Sequence, residues 1–215
     1  MRKYVTEFTG TLLFVLIIGL IVTPGRQALA PLMIGCALMV LVYMGGHVSG
    51  AHYNPAVTFA VFLRGKIPGG EALSYVAAQI LGGTTGAYVA YRLLDRTFAP
   101  SPGDSATTVT ALLVEVIFTF MLALVVLNVA VSKQTHGNSF YGLAIGFTIA
   151  VAVFAGGPIS GGVYNPAVGT GASLINAFLG GGDLTKLWFY LVGPLTGGAL
   201  AAFVFKLQEA PEPTV

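Results

Sequence analysis

Two long stretches of this chain, residues 27–63 and 134–182, contain no Asp, Glu, Lys or Arg. Each is much longer than the ~20 apolar residues that a helix needs to cross the hydrocarbon core of a bilayer. Only 8% of all residues are charged and 55% are hydrophobic, which is typical of membrane proteins. Because lipid leaves every backbone polar group to be satisfied within the protein, we predict an all-α membrane protein.

Charged residues and helix breakers divide the first half of the chain into predicted spans. The first span runs from about Tyr4 to Thr23 and the second from about Ala30 to Gly46. A short helix from Asn54 to about Leu63 enters the membrane without crossing it, because Pro55 interrupts the uncharged run. The third span covers Glu71 to Leu94.

The second half repeats this plan. It has a span from Val109 to Val131, then a span and a half-helix within 134–182, and a last span from Leu184 to Leu207. This is an internal duplication. We predict one transmembrane domain over residues 1–215, with a first repeat at about 4–94, a linker at 95–107, a second repeat at about 108–207 and a short C-terminal tail at 208–215.

One motif occurs once in each repeat: Gly50-Ala51-His52-Tyr53-Asn54-Pro55-Ala56-Val57 and Gly161-Gly162-Val163-Tyr164-Asn165-Pro166-Ala167-Val168. Asn is a preferred N-cap and Pro is favoured at the first helical position, so each copy predicts the start of a helix. Three spans per repeat invert the second repeat relative to the first, and the two half-helices then meet from opposite sides. The N-terminal ends of the half-helices would offer hydrogen bonds to an uncharged molecule and repel cations.

The basic residues favour one orientation. Six of them fall on the side of the termini and four on the other: Arg2, Lys3, Arg64, Lys66, Lys133 and Lys206 against Arg26, Arg92, Arg96 and Lys186. The positive-inside rule therefore predicts cytoplasmic termini. The net charge of +2 and the scattered basic residues do not favour nucleic acid as a partner.

Three features together resemble the aquaporin, or major intrinsic protein, family over residues 4–207. They are the paired Asn54-Pro55-Ala56 and Asn165-Pro166-Ala167, the approach Gly46-His47-Val48-Ser49-Gly50-Ala51-His52, and the start Thr6-Glu7-Phe8-Thr9-Gly10-Thr11. The resemblance implies six spans and two re-entrant half-helices in an inverted repeat, a pore in every protomer, a homotetramer and, with the orientation above, an integral protein of a bacterial-type inner membrane.

The same resemblance implies roles for the residues around the motifs. Asn54 and Asn165 would form the central site of the pore. The carbonyl groups of residues Gly50, Ala51, His52, Tyr53, Gly161, Gly162, Val163 and Tyr164 would line the pore as a ladder of hydrogen-bond acceptors, because extended residues cannot pair them within a helix.

This chain departs from the family at the filter. Typical members have Arg after the second Asn-Pro-Ala, with an aromatic residue and often a His nearby, whereas the matching positions here are Val168, Ile34, Val153 and Gly162. The predicted constriction is aliphatic and has lost its charged donor. Glycerol facilitators usually have Asp next, where this chain has Gly169, so the sequence does not choose a subfamily.

Other polar residues are given structural interpretations. Glu7 and Glu115 could relay protons, since intramembrane carboxylates are functional by default, but the family favours their accepting hydrogen bonds from the loop before each half-helix. His47 and His52 are expected to bond within a loop rather than hold a metal. Cys36 is expected to pack as a small side chain. We predict neither metal nor cofactor.

The predicted function is therefore passive conduction of water and small uncharged solutes across a lipid bilayer, and not catalysis. Two alternatives remain at this point. Inverted repeats and broken helices also build secondary transporters, although the half-helix ends carry no charged residue for ion coupling. The second alternative is a protein whose pore is closed and which serves membrane assembly.

Overall fold

The computed structural model describes residues 1–23 and 28–209. Arg26, assigned from sequence to the side opposite the termini, and residues 210–215 of the predicted tail lie outside the described residues. Within the described ranges the chain forms eight α-helices and no strand: α1 (Arg2–Val22), α2 (Ala30–Ser49), α3 (Pro55–Leu63), α4 (Gly69–Leu94), α5 (Thr108–Val126), α6 (Tyr141–Ser160), α7 (Pro166–Leu179) and α8 (Phe189–Gln208).

The helices confirm the predicted class of six long helices and two short ones. Five helices are long and apolar enough to cross a membrane: α1, α2, α6, α8 and α5 with its continuation, a π-helical turn at Leu127–Val131. The remaining long helix, α4, corresponds to the third predicted span and is the longest at 26 residues. The two short helices, α3 and α7, both begin at the Pro of an Asn-Pro-Ala motif.

The predicted start of the last span at Leu184 is wrong, because α8 begins at Phe189. The Asp183 carboxylate accepts hydrogen bonds from the backbone N–H of Thr185, at 2.8 Å, and from its hydroxyl. The backbone then closes short i→i−3 bonds, such as that from the Leu187 N–H to the Leu184 carbonyl. A local side-chain acceptor therefore competes with the first helical turn, although the apolar sequence continues through it.

Packing between the helices follows the duplication. Helix α1 packs on α4 in the first repeat as α5 packs on α8 in the second, and α2 packs against α6 between the repeats. Each half-helix lies against a helix of the other repeat, since α7 packs on α4 and α3 on α8. The two motifs are thereby held at the centre of the bundle, with Ala56 and Ala167 completely buried.

Candidate functional site

The two Asn-Pro-Ala motifs meet inside the bundle. Asn54 caps α3 by accepting a hydrogen bond from the Ala56 N–H at 2.9 Å, and Asn165 caps α7 through the Ala167 N–H at 2.9 Å. Each amide also crosses to the opposite loop: Asn54 donates to the Tyr164 carbonyl and Asn165 to the Tyr53 carbonyl, both at 2.9 Å. Since an amide NH₂ has two N–H groups, one remains on each Asn.

The loops that precede the half-helices have a strained backbone. Ala51, Tyr53 and Tyr164 have φ values of 50°, 48° and 51°, in the left-handed region that costs a residue with a Cβ about 1–2 kcal/mol. Gly50 and Gly161 end α2 and α6 with φ values of 86° and 95°, where glycine is unstrained. Bonds from elsewhere in the fold must therefore hold these loops.

Two buried carboxylates supply those bonds. Glu7 accepts from the N–H of His52 at 3.0 Å and of Tyr53 at 2.7 Å, and from the Ser49 hydroxyl at 2.6 Å. In the second repeat, Glu115 accepts from the N–H of Val163 at 3.0 Å and of Tyr164 at 2.7 Å, and from the Ser160 hydroxyl at 2.7 Å. These contacts match the loop-holding interpretation, and every carboxylate oxygen is engaged in them.

The loops and the half-helix ends border a cavity of about 720 Å³. Its wall is apolar for most of its length, with side chains from α1, α2, α5 and α6. The described residues that line it include no Asp, Glu, Lys or Arg. Charged substrates would therefore meet no counter-ion there, whereas neutral molecules would meet hydrogen-bonding groups only at the loops and motifs.

All four predicted filter residues, Ile34, Val153, Gly162 and Val168, line this cavity. Val168 lies in the first turn of α7 and is 6% exposed. Gly162 has φ +67°, and a Cβ there would come within 2.9 Å of the Gly157 Cα. A larger residue at 162 would be strained and crowded, so the fold itself keeps this part of the wall free of a side chain.

The predicted carbonyl ladder is only partly brought to the cavity. Ala51, His52, Tyr53, Gly161, Gly162 and Val163 line it, whereas Gly50 and Tyr164 do not. In addition, the Tyr53 and Tyr164 carbonyls accept the cross-loop bonds from Asn165 and Asn54. Each of these two carbonyl oxygens keeps a second lone pair, and the ladder stays a prediction.

Several contributors to the site were not found by sequence reasoning. Residues 98–101, in the predicted linker, line the cavity, and Lys186 donates to the Ser101 hydroxyl at 2.9 Å. Thr58 and Gln79 form a hydrogen-bonded chain between His52 and Glu7. The described residues contain no group of three or more His, Cys, Asp or Glu side chains that could hold a metal ion.

Comparison with known proteins places the chain among channels. The family model described as "Major intrinsic protein" matches residues 1–205. Glycerol uptake facilitator protein-like 6 of Lactiplantibacillus plantarum is 35% identical over 99% of this chain and 100% of its own length. Aquaporin NIP1-1 of Zea mays is 38% identical over 80% of this chain, and the match spans 60% of the maize protein. The X-ray structure of the aquaglyceroporin from Plasmodium falciparum superposes with a TM-score of 0.84 and 23% identity, covering 95% of this chain and 94% of that one.

Two capped half-helices that meet beside an uncharged cavity, within a bundle of membrane-crossing helices, define the class as a membrane transport protein. Together with the match over residues 1–205, this establishes that the chain belongs to the major intrinsic protein family, whose members are channels and not enzymes. The protein is an integral membrane channel of the kind that passes water and small solutes.

Proposed function

We propose that this channel conducts water and small uncharged solutes larger than water, such as glycerol, urea or undissociated acids, through an apolar filter formed by Ile34, Val153, Gly162 and Val168. The supporting observation is that all four residues line one cavity in which the described wall carries no Asp, Glu, Lys or Arg. A filter without a fixed cation leaves more room and fewer fixed donors than one that contains Arg.

Ion exclusion in this proposal comes from the half-helices. Each helix N-terminus carries about half a positive charge, and the cross-loop bonds between the Asn54 and Asn165 segments hold the two ends together. A cation at this point would lose its hydration and meet two positive ends. The free N–H of each Asn offers a neutral solute a hydrogen bond at the same place.

The substitution Val168→Arg tests the filter. We expect the variant to lose glycerol flux while retaining water flux, because the guanidinium adds bulk, several donors and a full charge to the constriction. Stopped-flow swelling of vesicles that contain the purified protein measures both fluxes. Val168→Leu is the matched control, since it adds volume without charge or donors.

Two results would contradict this assignment. If wild type passes water alone, the apolar ring does not widen the filter, and gating by dewetting becomes the better description. If Val168→Arg passes glycerol as readily as wild type, Val168 does not line the constriction. Water flux close to that of empty vesicles would favour the closed-pore alternative.

Flux measurements also separate the channel from a secondary transporter. We expect conduction to be linear in the solute gradient and independent of ion gradients, because the described cavity wall offers no Asp, Glu, Lys or Arg to couple an ion. Saturation of flux at accessible solute concentrations, or its dependence on a sodium or proton gradient, would support the transporter.

We infer a homotetramer in a bacterial inner membrane, with cytoplasmic termini. Support for the orientation comes from the excess of basic residues on the side of the termini. Two of these residues form ion pairs, Lys3 with Glu71 at 2.7 Å and Arg64 with Glu209 at 2.5 Å. The Arg64 guanidinium holds the pKa of the Glu209 carboxyl below its usual value. Large apolar side chains outside the cavity wall, such as Phe178 and Leu73 with 75% and 72% exposure, are available to lipid or to neighbouring protomers.

A further inference from the structure

A second hollow of the molecule lies away from the pore, between the start of α1, the end of α2 and the start of α4. It is a groove of about 560 Å³. The residues that line it include Arg2, Lys3, Tyr4, His47, Val48 and Glu71, and none of these lines the pore cavity. Because α1 and α2 are long and apolar enough to cross a membrane, their ends place the groove at the level of the lipid headgroups.

The internal repeat relates this groove to a place on the opposite face of the bundle. The Tyr75 hydroxyl donates to the Ser49 carbonyl at 2.8 Å, and the Tyr190 hydroxyl donates to the Ser160 carbonyl at 2.8 Å. These equivalent bonds align α2 and α4 of the first repeat with α6 and α8 of the second. By this alignment the counterparts of Glu71, His47 and Val48 are, in that order, Lys186, Pro158 and Ile159.

In the second repeat the chain itself fills this place. The Gly103 N–H donates to the Ile159 carbonyl at 3.0 Å, and a Cβ on Gly103 would collide with the Pro158 carbonyl oxygen. Lys186 donates to the Ser101 hydroxyl at 2.9 Å. The linker before α5 therefore packs where the first repeat has an open groove, and the same frame accommodates a polar occupant on one face of the bundle.

The groove of the first repeat has basic groups in excess. Lys3 pairs with Glu71 at 2.7 Å. Within the described residues, the Arg2 guanidinium and the His47 ring form no hydrogen bond or ion pair. Two cationic side chains thus face one carboxylate, and a free guanidinium is the group that binds a phosphate through two parallel N–H···O bonds.

The surface next to the groove is apolar. On each of the three helices a large apolar side chain is exposed within three residues of a groove residue: Val5 on α1, Met44 on α2 and Leu73 on α4. Acyl chains would meet these side chains while a headgroup meets the basic groups. This combination matches the two parts of a phospholipid better than it matches a soluble phosphate.

We propose that this groove binds the phosphate of an anionic phospholipid headgroup, with Arg2 as its main contact. Lys3 and His47 supply further donors, and Glu71 competes with the phosphate for Lys3. The inference goes beyond the proposed function, since it does not depend on which solute the pore conducts.

Titration with phosphatidylglycerol tests the site. Native mass spectrometry of the purified protein in detergent counts the bound lipids, with zwitterionic phosphatidylcholine as the comparison. We expect wild type to prefer phosphatidylglycerol, and Arg2→Gln to weaken its binding by about fivefold, as loss of one basic group at an anionic surface predicts. Arg96→Gln is the matched control and should bind as wild type does, because Arg96 is equally exposed but lines neither the groove nor the cavity.

The substitution Glu71→Gln separates a binding role from a merely structural one. It removes the carboxylate that engages Lys3, so we expect the variant to bind phosphatidylglycerol several-fold more tightly than wild type. If the ion pair serves only to hold α1 against α4, the variant should lose thermal stability and bind the lipid no better, which would overturn the competing role of Glu71.

The remaining outcomes are equally decisive. Equal affinities of wild type and Arg2→Gln for phosphatidylglycerol, or equal weakening by Arg2→Gln and Arg96→Gln, would overturn the site. Inorganic phosphate distinguishes the two sources of the anion: if it raises the thermal stability of wild type above that of Arg2→Gln and phosphatidylglycerol does not, the lipid assignment is wrong. Failure of the protein to pass glycerol would overturn the proposed function alone and leave these binding measurements intact.

Discussion

At the scale of single residues, the strongest constraint on this protein is a pair of carboxylates buried in a membrane bundle. Glu7 and Glu115 are completely inaccessible, in a setting where an unpaired charge is very costly. Each is compensated by donors from a loop whose own backbone N–H groups could not pair within a helix. The carboxylate and the loop therefore stabilise each other, and neither would be tolerated there alone.

Replacing these carboxylates tests whether they hold loops or relay protons. We expect Glu7→Ala and Glu115→Ala to destabilise the protein by about 1–3 kcal/mol for each buried N–H left unpaired, and the corresponding Gln variants to be milder because one acceptor oxygen remains. The measurement is the fraction of detergent-solubilised protein that stays monodisperse after heating, together with water flux. Equal damage from Gln and Ala would instead point to proton relay.

At the scale of elements, each half-helix begins at the Asn and the Pro of its Asn-Pro-Ala motif. Asn and Pro begin each helix in the same way, and both caps have Asn in an extended conformation, with φ values of −156° and −152°. The helices then differ in length, 9 residues for α3 and 14 for α7. The shared feature is thus the helix start at the centre of the fold, where the positive ends of the two helix dipoles lie.

Removing one cap tests this element. We expect Asn54→Ala or Asn165→Ala to cost about 0.5–2 kcal/mol of stability through the cap, and also to change the selectivity of conduction, because the bond to the opposite loop and the free N–H are lost. Asn138→Ala is a suitable control: Asn138 accepts from the Phe140 N–H at 3.1 Å but does not line the cavity. If both pore variants fold and keep wild-type selectivity, Asn54 and Asn165 do not form the central site of the pore.

At the scale of the whole molecule, glycines allow each half-helix to lie against the other repeat. A Cβ on Gly83 of α4 would come within 2.6 Å of the Ala167 carbonyl oxygen, and a Cβ on Gly198 of α8 would come equally close to that of Ala56. Small residues permit such backbone approach in membrane bundles. These two contacts place the motifs of opposite repeats side by side.

This packing predicts opposite effects for the same substitution at two sites of one helix. We expect Gly83→Ala to destabilise the protein by about 1–3 kcal/mol through overpacking and to lower water flux. Gly70→Ala, also in α4, should be neutral or stabilising by about 0.5–1 kcal/mol, since a Cβ there meets nothing within 4 Å. The thermal stability of each variant in detergent measures these effects. Equal stability of Gly83→Ala and Gly70→Ala would show that the contact between α4 and the start of α7 tolerates a methyl group.

Much of the fold was predictable because its signals are local. The long uncharged runs and the duplicated Asn-Pro-Ala motif depend on bilayer thickness and on capping chemistry, which act over short segments. These signals located six long helices, two half-helices and the residues at which the half-helices begin. They misplaced the beginning of α8, where Asp183 engages Thr185 locally.

The sequence by itself therefore determined the class of protein, the starts of the two half-helices and the absence of a charged or hydrogen-bonding side chain at Ile34, Val153, Gly162 and Val168. Only the tertiary structure decided which groups meet: the cross-loop bonds of Asn54 and Asn165, the cavity-lining position of residues 98–101, and the chain from His52 through Thr58 and Gln79 to Glu7. The physical reason is that hydrogen bonds in this site join residues far apart in sequence, such as Gln79 and Glu7, whose separation follows no local periodicity. Their pairing is set by how the two repeats pack, and no single segment contains that information.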